Sequence, residues 1–282
     1  MRKGLVLEGG AMRGLFTAGV IDVLMENGVE FDGIIGVSAG ACFGCNYVSK
    51  QPRRAYRYNL KYCNDPRYCS IRSLIKTGDM FGADFCYHEL PEELDIFDSE
   101  TFINSSMDFY VVATDIETGK AVYKKMTDCK GEELEWIRAS ASMPLASRIV
   151  EIDGGKYLDG GIADSIPLEQ FQRMGYEKNV VVLTQPDGYT KSPNKLMPAI
   201  KRVFKNYPKL IEGMSNRHLV YNNSIGYVKN QRNAGNTFII CPDEPLPIGR
   251  ITHDPKKIKA VYKLGRKVGK RNLEAVKRFL EE

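Results

Sequence analysis

The sequence predicts an α/β fold, a mostly parallel central sheet sandwiched by helices and carrying helical insertions. Three observations predict it. Short apolar runs alternate with helical periodicity through the first fifty residues, the order expected of parallel strands joined by crossover helices. Two of those runs, ending at Glu8 and Val37, pass into small-residue turns that open a helix. A further strongly apolar run, Asn179–Thr184, has the composition of a strand buried on both faces.

Taken in order, Lys3–Glu8 reads as a buried strand and Gly9-Gly10 as a turn. Leu15–Glu26 places Phe16, Val20, Val23 and Leu24 at helical spacing and closes on Asn27-Gly28. Gly33–Val37 is a second strand, and Ser38-Ala39-Gly40 leads into a helix through Val48. From Ser49 to Ser99 the periodicity blurs into helices and loops laid over the sheet. Met107–Asp115 and Lys120–Lys124 read as strands around Glu117-Thr118-Gly119. Glu132–Ser140 is helical, and Ile149–Ile152 with Lys156–Leu158 forms a hairpin around Asp153-Gly154-Gly155. Lys195–Lys205, Pro208–Asn233 and Pro255–Phe279 read as helices, and Thr237–Cys241 as the last strand. A single domain over 1–282 is the simplest account, with a motif-bearing core to about 185 and a helical, basic remainder over 186–282.

The chain has 282 residues, long enough for a sizeable core. Its 43% hydrophobic and 27% charged content excludes a disordered or fibrous chain. No stretch approaches the ~18 uninterrupted apolar residues of a membrane span, and the N-terminus lacks the apolar core of a secretory signal. Seven cysteines without metal-ligand spacing read as reduced thiols, so a cytoplasmic location is expected. Cys42 and Cys45 form a C-x-x-C pair, read here as small packing residues.

Gly36-Val37-Ser38-Ala39-Gly40 is a G-x-S-x-G sequence between a strand and a helix. Glycines two residues either side remove the Cβ atoms that would clash in so sharp a turn, and the following helix directs its amides towards the serine. Upstream, Gly9-Gly10-Ala11-Met12-Arg13-Gly14 opens the first helix. It has P-loop spacing from Gly9 to Gly14, but Leu15-Phe16 stands where Lys-Ser/Thr is needed, and the glycine offsets do not fit a dinucleotide fingerprint. What remains is a run of backbone N–H donors that would serve as an oxyanion hole beside Ser38. Arg13 would add positive charge there, or simply be a solvated loop arginine.

A serine nucleophile needs a base. His88, His218 and His253 are the only histidines, and none lies in an evident catalytic loop after a strand. Asp159, in Tyr157-Leu158-Asp159-Gly160-Gly161, is the better candidate, although Asp-Gly is also an ordinary turn dipeptide in this chain.

The joint pattern of Glu8–Gly14, Gly36–Gly40, Ala139–Ser147 and Asp159-Gly160-Gly161 resembles the patatin-like phospholipases over about the first 185 residues. The resemblance implies an α/β sandwich with a Ser38–Asp159 dyad, the Gly9–Gly14 amides as oxyanion hole, and Gly36, Gly40, Gly160 and Gly161 as supporting glycines. It implies metal- and cofactor-free hydrolysis of lipid esters through an acyl-enzyme. A soluble esterase or thioesterase with the same dyad is one alternative; a non-catalytic lipid-binding regulator is another.

Two basic stretches stand out: Lys50–Lys76, with eight Lys/Arg against Asp65, and Lys256–Arg278, with ten against Glu274. Each could dock peripherally on an anionic membrane, at the inner face of the membrane for a cytoplasmic protein. The alternative is a solvated face of a packed helix, favoured for the C-terminal stretch. No nucleic-acid module is present, and no nucleic-acid partner is expected. Met80, Phe81, Gly82 and Phe85 could line an acyl groove but read better as core.

Overall fold

A computed structural model describes all 282 residues. The chain runs β1 (Arg2–Leu7), α1 (Gly14–Glu26), β2 (Gly33–Val37), α2 (Ala39–Val48), α3 (Arg54–Tyr62), α4 (Ile71–Thr77), α5 (Ser99–Ile103), β3 (Asp108–Asp115) and β4 (Ala121–Met126). It continues through α6 (Leu134–Ala141), β5 (Val150–Ile152), β6 (Gly155–Asp159), α7 (Leu168–Arg173), β7 (Tyr176–Val182), α8 (Met197–Val203), α9 (Pro208–Asn233), β8 (Thr237–Ile240) and α10 (Pro255–Glu281).

The eight strands form one sheet in the order β5-β6-β3-β2-β1-β7-β8, with β4 on the other edge of β3. β3, β2, β1, β7 and β8 are mutually parallel; the β4 and β6 pairings with β3, and the β5–β6 hairpin, are antiparallel.

The period of two along each strand sorts side chains between two layers. Leu5, Leu7, Ile34, Phe109, Val111, Val180 and Val182 pack with α1, α2 and α10 in the larger core. Val6, Ile35, Val37, Val112 and Val181 pack with α7 and α9 on the opposite face, through Leu168, Phe171, Tyr221 and Val228. The expected helix–sheet–helix sandwich therefore forms.

Two departures from the sequence reading have local causes. α7 was not anticipated, because six residues are too few to display a helical period. β7 begins at Tyr176, three residues early, since Lys178 is buried with its ammonium 4.9 Å from the centre of the Phe279 ring. A polar residue at the start of a strand thus hides a buried stem.

α10 lies against α1 at backbone contact. A Cβ on Gly265 would sit 2.1 Å from the Phe16 carbonyl oxygen, and one on Gly19 would sit 2.3 Å from that of Tyr262. The apolar face of α10 is buried through Ile258, Val261, Tyr262, Val268 and Val276. On its flanks Arg266 pairs with Glu26 at 2.6 Å and Arg271 with Asp243 at 2.7 Å. In the other basic stretch, Arg54 is buried beside Asp95, Arg57 pairs with the same carboxylate at 2.6 Å, and Arg67 bridges Asp65 and Glu89. Several charges of the first stretch are thus paired within the fold, whereas in the C-terminal stretch most of the basic residues have no salt bridge. No helix is long and apolar enough to cross a membrane.

Candidate active site

Ser38 stands at the turn between β2 and α2 with φ 54° and ψ −122°, a positive-φ conformation that a side chain adopts only when its surroundings enforce it. The enforcement is steric. A Cβ on Gly36 would meet the Gly40 carbonyl oxygen at 2.5 Å, and one on Gly40 would meet that of Leu7 at 2.3 Å. The Ser38 N–H donates to Ser140 Oγ at 2.8 Å, tying the turn to α6.

Asp159, at the end of β6, is buried. Its N–H donates to the Ser142 carbonyl at 2.8 Å, and its own carbonyl accepts from Thr114 Oγ1 at 2.8 Å. The carboxylate accepts the Gly161 N–H at 2.8 Å, and the Ser38 hydroxyl is near enough to favour its charged form. Gly160 has to be glycine, since a Cβ there would lie 2.1 Å from the Val112 carbonyl oxygen. Burial pushes the Asp159 pKa above the ordinary carboxylate value; the positive charge of Arg217, the Ser38 hydroxyl, the Gly161 amide and Lys191 pull the other way.

The Gly-rich loop faces the pair. A Cβ on Gly9 would lie 3.0 Å from Ser38 Cβ. The six residues nominated from sequence do not contribute equally. Met12 N–H is spent on the Arg250 carbonyl, Arg13 N–H on that of Gly10, and Gly14 N–H on those of Ala11 and Met12. The Gly9, Gly10 and Ala11 amides donate to no protein acceptor. Gly14 plays another part, letting α1 approach Ala39, whose Cβ would be 2.7 Å from a Gly14 Cβ.

Two cavities meet at Ser38. One, of about 1070 Å³ including its mouth, is lined mainly by apolar side chains, among them Phe43, Tyr58, Phe81, Tyr87, Leu90 and Phe97. Phe81 lines this cavity while packing edge-on against core Tyr68, Met80 also packs against the core, and Phe85 is buried against Tyr62 and Tyr68. Cys42 opens into the same space, one turn along α2 from Ser38, while Cys45 is buried in its wall; burial holds the Cys42 thiol up at about 12. The second cavity, about 760 Å³, is polar and is lined by Asp159, Arg13, Lys191, Arg217 and Arg250. Ala11, Ser38 and Met143 line both. No histidine lines either: His88 lies 3.8 Å from Glu92 and from Glu135, His218 is on α9, and the His253 ring bonds the Cys63 carbonyl at 2.7 Å.

The profile of the patatin-like phospholipases matches residues 5–171, more than half of the chain and all of the elements just described up to α7. The chain belongs to the patatin-like phospholipase family. That membership carries the activity class, a carboxylic ester hydrolase with lipid esters as substrates. Residues 207–281 match a second profile, a domain of unknown function (DUF6363). Among curated relatives, the uncharacterized protein YjjU of Escherichia coli K12 is 28% identical over 292 residues, covering 100% of this chain and 80% of that protein. Lysophospholipase nte1 of Aspergillus niger is 28% identical over 299 residues, covering 98% of this chain but 18% of the fungal protein. Among solved structures, VipD from Legionella pneumophila aligns with a TM-score of 0.49 at 13% identity, covering 97% of this chain and 67% of that one.

Sequence reasoning missed Ser140, Ser142, Lys191, Arg217 and Arg250. Ser140 and Ser142 lie in the Ala139–Ser147 segment already singled out, so a signal existed for them. The three cations carry no local motif.

Proposed function

We propose that this patatin-like chain is a lysophospholipase-type serine hydrolase in which Ser38 and Asp159 form a catalytic dyad acting through an acyl-enzyme. The observation that carries the proposal is Ser38 at a positive-φ apex, sharing a cavity with the buried Asp159 carboxylate and standing at the mouth of an apolar one.

The acyl chain occupies the apolar cavity and brings its ester carbonyl to Ser38. Asp159 takes the Ser38 proton as Oγ attacks the carbonyl carbon, and the carbonyl oxygen gains its negative charge beside the free Gly9, Gly10 and Ala11 amides. Collapse breaks the bond to the alcohol, which leaves with the proton held by Asp159. Water, deprotonated by Asp159, then attacks the acyl-Ser38 ester and releases a fatty acid. The steps before and after the acyl-enzyme are the same proton transfer run twice, so one carboxylate suffices. The lysophospholipid reading, rather than a small soluble ester, is favoured by the size and apolar lining of the cavity and by the similarity to lysophospholipases.

Intact-protein mass after exposure to a fluorophosphonate tests it. A single adduct on wild type, absent from Ser38→Ala and strongly slowed in Asp159→Asn, is the expected result. An unmodified wild type that also leaves lysophospholipid intact would overturn the hydrolase reading. Labelling of Asp159→Asn at the wild-type rate would overturn the assignment of the base.

A further inference from the structure

The polar cavity on the far side of Ser38 gathers four cations from four segments: Arg13 in the Gly-rich loop, Lys191 after β7, Arg217 on α9 and Arg250 after β8. The carboxylates in its lining are Asp159 and Glu8. Glu8 is already satisfied, accepting the Thr184 N–H at 2.6 Å, the Thr184 hydroxyl at 3.1 Å and the Tyr221 hydroxyl at 2.8 Å. None of the four cations makes a salt bridge, and Arg13 Nε is buried without a hydrogen-bond acceptor. Arg13, Lys191 and Arg217 are partly buried, and four cations facing two carboxylates leave an excess of positive charge that is costly unless something else supplies the counter-charge.

We infer that Lys191, Arg217 and Arg250, with Arg13, form an anion subsite that takes the phosphodiester of a glycerophospholipid headgroup while the acyl chain fills the apolar cavity. The inference rests on the hydrolase reading above and adds what selects the substrate. Two cavities of opposite character meeting at one serine match the two ends of a lysophospholipid, whose scissile ester lies between them. Arg217 and Arg250 lie within residues 207–281, so the segment of unknown function completes the site by bringing charge to it.

The electrostatics agree. Desolvation, Arg217, Arg13 and Arg250 together lower the Lys191 pKa to about 7, against the pull of Glu8, and its ammonium rests 4.0 Å from the centre of the Tyr221 ring. A phosphodiester among these groups reverses that repulsion, so its binding draws a proton onto Lys191 near neutral pH. The Arg217 guanidinium also donates through Nε to the Gly161 carbonyl, which binds it to the Asp159 loop, whereas Arg250 is exposed and its side chain holds nothing. Arg250 is therefore the cleaner residue to change.

The test compares full-length wild type and Arg250→Gln on a lysophosphatidylglycerol and on the uncharged monoacylglycerol with the same acyl chain. Loss of a charge-assisted bond to phosphate lowers kcat/KM on the lysophospholipid about tenfold or more. On the monoacylglycerol the change stays within about twofold. A parallel fall on both esters, or no fall on either, overturns the subsite. A second arm needs no turnover: calorimetric titration of Ser38→Ala, with and without Arg250→Gln, using glycerophosphoglycerol and inorganic phosphate. Glycerophosphoglycerol is expected to bind with proton uptake at pH 7 and to weaken in the Arg250→Gln protein. Binding of phosphate alone, or of neither, overturns the headgroup assignment. Should wild type cleave neither ester while glycerophosphoglycerol still binds through Arg250, the hydrolase reading fails and the anion subsite stands.

Discussion

Val37 and Asp159 face consecutive residues on one edge of a single strand: Val37 is opposite Val112 on β3, and Asp159 is opposite Ala113. β4 occupies the other edge of β3 from Phe109 to Thr114. β6 can therefore pair only where β2 leaves off, and the end of β6 abuts the residue that follows Val37. That residue is Ser38. Two side chains 121 positions apart are thus brought together by backbone hydrogen bonds, with no flexible loop in between.

Because the ladder sets the geometry, removing either functional group leaves the frame in place. Ser38→Ala and Asp159→Asn are expected to lower kcat/KM on a lysophospholipid by at least about 10³, the scale seen when a nucleophile or its base is removed. Thermal unfolding should change little, since Asn retains an acceptor for the Gly161 N–H.

The pH profile follows from the Asp159 environment. In the proposed mechanism Asp159 acts as a base only when ionised, and burial raises its pKa above the ordinary 3.8 while Arg217 opposes that rise. Activity should therefore fall as pH is lowered through a midpoint above 3.8. In Arg217→Gln the acid limb should move to higher pH, whatever the size of the maximum. Initial rates from pH 4 to 8 check both.

Glycines around Ser38 should separate activity from stability. A Cβ on Gly9 would press on Ser38 Cβ and the Val37 carbonyl oxygen, each at 3.0 Å, so Gly9→Ala should cost roughly 10–100-fold in kcat through a displaced serine and amide. A Cβ on Gly40 would lie 2.3 Å from the Leu7 carbonyl oxygen, so Gly40→Ala should lower stability by about 1–3 kcal/mol as well. Parallel Tm and kcat measurements distinguish the two.

Acyl-chain preference should respond to the apolar cavity. Cys42 lines it one turn from Ser38. Cys42→Phe fills space there, so esters of long acyl chains should lose kcat/KM about tenfold more than butyryl esters. A p-nitrophenyl ester series reads this directly, and a uniform loss across the series would rule the cavity out as the acyl site.

Asp164 makes a pH-dependent contribution to stability. It accepts from the Tyr123 hydroxyl at 2.8 Å, and burial raises its pKa from 3.8 to about 6. Protonation is favoured in the folded state, so this stabilisation is complete below 3.8 and is lost as pH rises through about 6. Asp164→Asn does not titrate. Relative to wild type it should gain about 1–3 kcal/mol between pH 4 and pH 7, read from denaturant unfolding at the two values.

How much of this was legible in the sequence depended on whether each signal was local. The Ser38 elbow was legible because a strand, a strained turn and a small-residue helix must follow one another within a few residues, and only glycine satisfies the close approaches at 36 and 40. The Gly-rich loop was legible for the same reason, and Asp159 through the company of the other motifs. α10 was legible as an amphipathic helix, and its burial against α1 agrees with its apolar stripe.

The order of strands, and hence the pairing of Ser38 with Asp159, was decided only by the tertiary structure, because register is a competition among edges that no local pattern records. The same holds for which loop amides remain free: Met12 loses its N–H to Arg250, a residue 238 positions away. The cation cluster is the clearest case. Lys191, Arg217 and Arg250 sit in segments whose local chemistry is that of ordinary surface helices and loops. Their shared function depends on Coulomb interactions, which are set by distance in space and by desolvation, and neither is written along the chain.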